Sequence, residues 1–145
     1  MVRSQVTTKK HFHIFRKSCE KWMDKFGLIG WKRAFFHEKD KDLPHSRATV
    51  HTDIQNSLAT FRLIPRWKID ESGEGFYQVT EESMNRAALH EVIHVILAKL
   101  KWMVSARWAL DPSDVDEENE RLVQIIERVI WDYEQKLKDS LKSDK

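Results

Sequence analysis

One cysteine, Cys19, serves all 145 residues, so no internal disulfide can form and no cysteine-ligated metal knuckle can be built. A lone thiol suits a reducing compartment. Charge of one sign is missing as well. The 25 basic residues nearly cancel the 23 acidic ones, leaving +2, and the basic residues are dispersed. That balance offers no footing for phosphate-driven binding, and no nucleic-acid partner is expected. Long apolar runs are absent: the best candidate, residues 92–97, is interrupted by His94 and falls far short of a membrane span. Residues 1–10 lack the apolar stretch of a secretory leader. A soluble, cytoplasmic protein without membrane contact is the expectation. Glycine and proline are scarce, at four and three, and there is no repeat or low-complexity tract.

What is present describes one ordinary globular domain, residues 1–145, with a core over 8–135 and a charged tail over 138–145. Hydrophobic residues make up 41% and charged residues 33%. Six tryptophans in so short a chain should mostly lie in the core or line a groove. Thr7 or Thr8 can cap a first helix, whose apolar residues from Phe12 to Phe26 keep helical spacing until Gly27. Residues 31–37 read as a strand. Residues 48–54 and 58–64 alternate around a turn at Gln55, Asn56 and Ser57 and read as a hairpin. Residues 67–75 read as a loop or a short edge piece. Thr80 caps a second helix with Glu81 and Glu82 in its first turn, and Leu89 to Leu100 give that helix a wide apolar surface. Residues 103–111 read as a connection. Pro112 stops any earlier helix, Ser113 or Asp114 can cap a last one, and that helix fades into the tail. The expected class is α+β, with helices packed on one antiparallel or mixed sheet of three strands.

The second helix contains His90-Glu91-Val92-Ile93-His94, an HExxH pattern. Residues four apart on a helix project from one face about a turn apart, so two imidazoles can converge on one tetrahedral zinc ion. Glu91 is offset around the axis, so its carboxylate reaches a water at the open position rather than the metal. There it can act as general base and then as general acid. The plain alternative is a buried helix with two hydrogen-bonded histidines and a surface glutamate. Burying these groups unpaired costs on the order of 2 kcal/mol each, which favours the zinc reading.

A catalytic zinc needs a third protein ligand, and no histidine follows His94. The downstream donors are carboxylates: Asp111, Asp114, Asp116, Glu117, Glu118, Glu120 and Glu127, with His51 as an upstream outsider. Asp116 and Glu117 sit where helix capping or the dipole wants acids. Counting at about 100° per residue, the stripe Val115, Leu122, Ile125, Val129 and Tyr133 puts Glu118 on the buried edge and Glu120 off-centre. HExxH followed by a glutamate on a second helix is similar to gluzincin-like metallopeptidases. Over residues 8–135 the element order resembles that of the small phage and prophage zinc metallopeptidases of the zincin superfamily. That resemblance implies a minimal zincin fold, with Glu120 as third metal ligand, Gln124 as a partner of a ligand histidine and Glu118 as the rival ligand. It also implies hydrolysis of a protein or peptide substrate, inside the host cell if the gene is a phage's.

The other candidates read more plainly. His11, His13, His37 and His45 are surface or strand residues, Tyr77 and Tyr133 are possible oxyanion donors, and Arg121 and Arg128 are solvated partners of nearby acids. Two rival functions stand beside a zinc peptidase: a zincin-fold binding or regulatory module with a structural or non-catalytic metal, and a purely structural domain with an accidental motif.

Overall fold

Thr8 starts the first helix. In the computed structural model, which describes residues 4–43, 46–68, 78–107 and 112–143, α1 spans Lys9–Lys25. The Thr8 hydroxyl accepts from the His11 N–H at 3.3 Å and the His11 ring accepts from the Thr8 N–H at 3.1 Å, a capping box closed by histidine. At the other end Gly27 takes φ 70°, a left-handed conformation that suits glycine. Leu28 N–H then reaches Met23 O at 2.9 Å and Gly27 N–H reaches Asp24 O at 3.0 Å.

Five strands follow the α+β expectation and add to it. The three-stranded sheet comprises β2 (Lys32–His37), β3 (Ala48–Asp53) and β4 (Leu58–Leu63) in the order β2-β4-β3. β3 and β4 form the expected antiparallel hairpin, whereas β2 lies parallel to β4, so the sheet is mixed. Ser57 takes φ 48° in the hairpin turn, where the Asp53 carboxylate accepts from the Asn56 N–H. The central strand alternates, with Ala59, Phe61 and Leu63 buried beneath the helices. Two short strands form a separate antiparallel ribbon, β1 (Ser4–Val6) and β5 (Arg66–Lys68). Residues 67–68 of the expected loop or edge piece thus lie in a paired strand, residues 69–75 lie outside the described residues, and the partner β1 is too short to show a sequence period. Thr7 fastens this ribbon to the sheet: its hydroxyl donates to Ile64 O at 3.0 Å and accepts from His37 Nε2 at 2.7 Å.

The helix α2 (Glu81–Arg107) begins at the Thr80 cap, where the Thr80 hydroxyl accepts from Ser83 N–H and the Ser83 hydroxyl from Thr80 N–H. It buries Leu89, Val92 and Ile93 completely, so it is the central helix. It also overruns its expected end near Leu100, because residues 101–107 contain no proline or glycine to break it. The helix α3 (Pro112–Ser143) starts with proline in its first turn, ahead of the expected caps, and continues through most of the charged tail. Lys138 follows Glu134 by four residues and supports that extension. Trp22, Trp67 and Trp131 are buried as expected, whereas Trp102 is exposed and Trp108 lies outside the described residues. Among the described residues no helix is long and apolar enough to cross a membrane.

The charged run after β2 is more than a flank. Asp40 is 3% exposed, and its carboxylate accepts from Asp42 N–H, Leu43 N–H, the Thr49 hydroxyl and His51 Nε2 at 2.6–3.3 Å. Burial pushes this carboxyl up, but the hydrogen bonds from Thr49, His51 and Asp42 outweigh it and hold Asp40 well below the usual carboxylate range. A depressed folded-state value contributes stability above the unfolded value, and that contribution is lost as pH falls toward the folded value. Asp40→Ala should cost about 1–3 kcal/mol at neutral pH, since the buried Thr49 hydroxyl loses its acceptor while the donors from Asp42, Leu43 and His51 are open to solvent. Urea titrations from neutral pH to about pH 3 should show the gap between parent and variant narrowing toward acid; a constant gap would refute this account.

Candidate metal centre

α2 and α3 run antiparallel past each other, and the HExxH turn of α2 meets α3 at Glu120. His90 Nε2 lies 3.4 Å from Glu120 Oε1 and His94 Nε2 lies 3.3 Å from Glu120 Oε2. The two imidazoles stand at 74° with centroids 5.0 Å apart, and one donor atom from each of the three residues falls within 4.8 Å of the others. These spacings are informative. A charge-assisted hydrogen bond would close to about 2.7–2.9 Å. Donors at about 2.0–2.1 Å from a shared zinc ion sit about 3.4 Å apart along a tetrahedron edge. The donor set of two ring nitrogens and a carboxylate oxygen is the kind zinc accepts, so the three residues fit such an ion.

Each donor is held from behind. The second ring nitrogen of His90, Nδ1, faces Glu127 Oε2 at 3.5 Å, and Glu127 is itself buried and paired with Arg86. His94 Nδ1 faces the Asn119 carboxamide at 3.3 Å. Gln124 donates to Glu120 Oε1 at 3.2 Å, so it supports the carboxylate rather than a histidine. These contacts fix the ring orientations that would aim Nε2 at a metal. The His94 neighbour beside Glu120 lowers its carboxyl to about 2, so it is ionised at neutral pH. Burial lowers His90, but Glu127, Glu91 and Glu120 outweigh it and raise the group overall, so protons compete with a cation for this ring.

Glu91 is 6% exposed, lines the same cleft as His90 and Glu120, and is reached by the Val50 N–H of the edge strand. That contact follows from register. Ile64 N–H bonds to Arg47 O, so alternation along β3 turns the backbone groups of Ala48, Val50 and Thr52 to the strand's outer edge. Burial pushes the Glu91 carboxyl up against the pull of His90 and His94, which makes it a better proton acceptor than an exposed glutamate. A cleft of about 540 Å³ opens on this cluster.

The remaining sequence candidates lie elsewhere. His51 is bound to Asp40 on β3. Asp116 pairs with Lys101, Glu117 is exposed, and Tyr133 is 67% exposed. Asp111, Tyr77 and His45, and the side chains of Asp114, Glu118 and Arg121, lie outside the described residues. The phase argument for α3 is corrected. Val129 and Tyr133 face solvent, while Val123, Glu127 and Trp131 are buried, so the inward stripe is displaced by about one residue. Polar side chains occupy inward positions here, and a hydrophobic count takes those positions for surface. Glu127 and Asn119 carry a signal that such counting passes over: Glu127 follows Glu120 by seven residues and therefore shares its face. Arg128, expected as a solvated partner of nearby acids, is exposed and stands at the cleft wall.

Comparison of the chain with protein-family models, curated proteins and solved structures gave no match.

Proposed function

We propose that this chain is a zinc-dependent peptidase of minimal zincin type, with His90, His94 and Glu120 as ligands and Glu91 as the proton-transfer group. The observation that carries the reading is the spacing of 3.3–3.4 Å from both Nε2 atoms to one carboxylate, beside a buried glutamate belonging to the same helix turn. A zinc ion there supplies Lewis-acid polarisation of a carbonyl and makes water acidic enough to ionise near neutral pH. The chain's own groups do the rest. Glu91 takes a proton from the attacking water on a carboxylate oxygen and returns it to the nitrogen of the departing amine. The Val50 N–H keeps that carboxylate oriented. Glu127 and Asn119 hold the imidazoles in place, and Gln124 steadies Glu120. The outer edge of β3 borders the cleft, and Ala48 lines it, so an extended peptide can lie along that edge. The test is zinc content together with hydrolysis of a casein or mixed-peptide substrate. Near-stoichiometric zinc with chelator-sensitive cleavage is expected. Zinc with no cleavage would leave a binding module, and a stable metal-free protein would remove the metal as well.

A further inference from the structure

Beyond the metal centre α3 carries a second apolar row. Val129, Tyr133, Leu137 and Leu141 follow one another four residues apart and are 46–67% exposed. Half-buried Ile126 stands beside the row at its near end. The row lies about 100° around the helix from inward Val123, Glu127 and Trp131, so the core does not cover it. One exposed apolar residue is ordinary, whereas four in line form the contiguous strip that marks a protein contact. From Lys136 to Leu141 every residue is exposed, so this end of the helix stands clear of its own body. The row beside the apolar one is charged. Arg128, Asp132, Lys136 and Asp139 alternate in sign at spacings of four, four and three. All four are exposed, and among the described residues none of them is held in an ion pair.

We propose that this face binds a second copy of the chain, with the two α3 helices antiparallel about a twofold axis near Tyr133. Such an axis reverses one helix and keeps each flank beside its own counterpart. Alternating signs read backwards become opposite signs, so Arg128 meets Asp139 of the second copy and Asp132 meets its Lys136. The same axis matches the apolar rows. Tyr133 meets Tyr133, Val129 meets Leu137 and Ile126 meets Leu141. Every one of these pairs is centred within one residue of Tyr133, so a single register satisfies charge and apolar contact together. A parallel pair would instead set this flank against the opposite one, whose Glu134 and Lys138 are occupied by Lys25 and Trp131. The geometry also leaves room. The clear end of each helix lies along Ile126 and Val129 of the other, which places the two bodies at opposite ends of the pair. Apolar contact supplies the affinity, since exposed ion pairs contribute little; the charges fix direction and register. The inference is independent of the metal and of the peptidase reading.

Sedimentation equilibrium of the full chain from about 1 to 100 µM should show the mass rising from monomer to dimer and no further. Tyr133→Glu and Leu137→Glu should each weaken association by about 100-fold. Both side chains are exposed in the single chain, so circular dichroism and the melting of dilute protein should match the parent. Asp132→Lys sets like charges together twice in the dimer and should weaken it by about tenfold or more. Adding Lys136→Asp to that variant should restore the parent's dissociation constant, because the exchanged pair is again opposite in sign. A chain monomeric throughout the range would overturn the proposal and leave the row to a different protein. Association that continues past the dimer would overturn it, as would a dimer indifferent to Tyr133→Glu and Leu137→Glu. A double exchange no tighter than Asp132→Lys alone would refute the antiparallel register.

Discussion

Glu91→Gln is expected to take up zinc as fully as the parent and to hydrolyse peptides about 10³-fold more slowly. The carboxylate lies outside the donor triangle of His90, His94 and Glu120, so its removal subtracts no ligand. On the proposed mechanism it removes the group that moves protons between water and the leaving nitrogen, a role worth about 10²–10⁴ in rate. The amide is nearly isosteric, and its oxygen can still accept the Val50 N–H. Burial opposes the charge on Glu91, so neutralising it should leave the melting temperature unchanged or raised. Lost turnover with retained zinc and retained stability is a combination that general damage to the fold would not give. Full activity in the variant would sink the mechanism.

Much of the architecture was legible because its signals are local. Thr8 and Thr80 are caps by residue type, Gly27 is a helix stop, and β4 alternates between half-buried and buried residues over its whole length. The pairing of β2 was not legible, since a strand's neighbours depend on where the chain crosses and the strand's own pattern is the same beside either one. Nor was β1, whose three residues hold only a ladder to β5 and no period. The length of α2 was misjudged because charged Lys99 and Lys101 read as an ending, although charges on an exposed helix face end nothing.

The candidate site divides along a similar line. His90, Glu91 and His94 were readable because their spacing is a property of one helix. The position of Glu120 depends on how α3 turns against α2, and hydrophobic counting misjudged that rotation. The inward stripe carries Glu120, Val123, Glu127 and Trp131, half of it polar, because it faces imidazoles as well as the core. Glu127 shows the general difficulty. A buried carboxylate looks like a surface residue in a hydropathy pattern, and it becomes visible only when the second nitrogen of His90 is asked for a partner.

Glu120→Ala should then be the sharpest test of that rotation. If Glu120 is a ligand, its loss removes one of three donors, and zinc affinity should fall well over 100-fold. Glu127→Gln weakens only the orientation of His90 and should cost about 10–100-fold, the range expected for a partner one bond removed from the metal. Exposed Glu117, three residues before Glu120 on the same helix, is the control; Glu117→Ala should leave the affinity unchanged. The rival account treats Glu120 as an ion-pair partner of His90 and His94 and nothing more. The two accounts part in thermal melts. The Glu120 side chain is 45% exposed, and a pair so open to solvent contributes little, about 0–1 kcal/mol. Without zinc, Glu120→Ala should therefore melt close to the parent. With zinc at about a hundred times the parent's dissociation constant, the parent gains about 2.7 kcal/mol by mass action, and the variant should gain almost none. Equal zinc-dependent stabilisation of parent and variant would remove Glu120 from the ligand set and return the third position to the other carboxylates of α3.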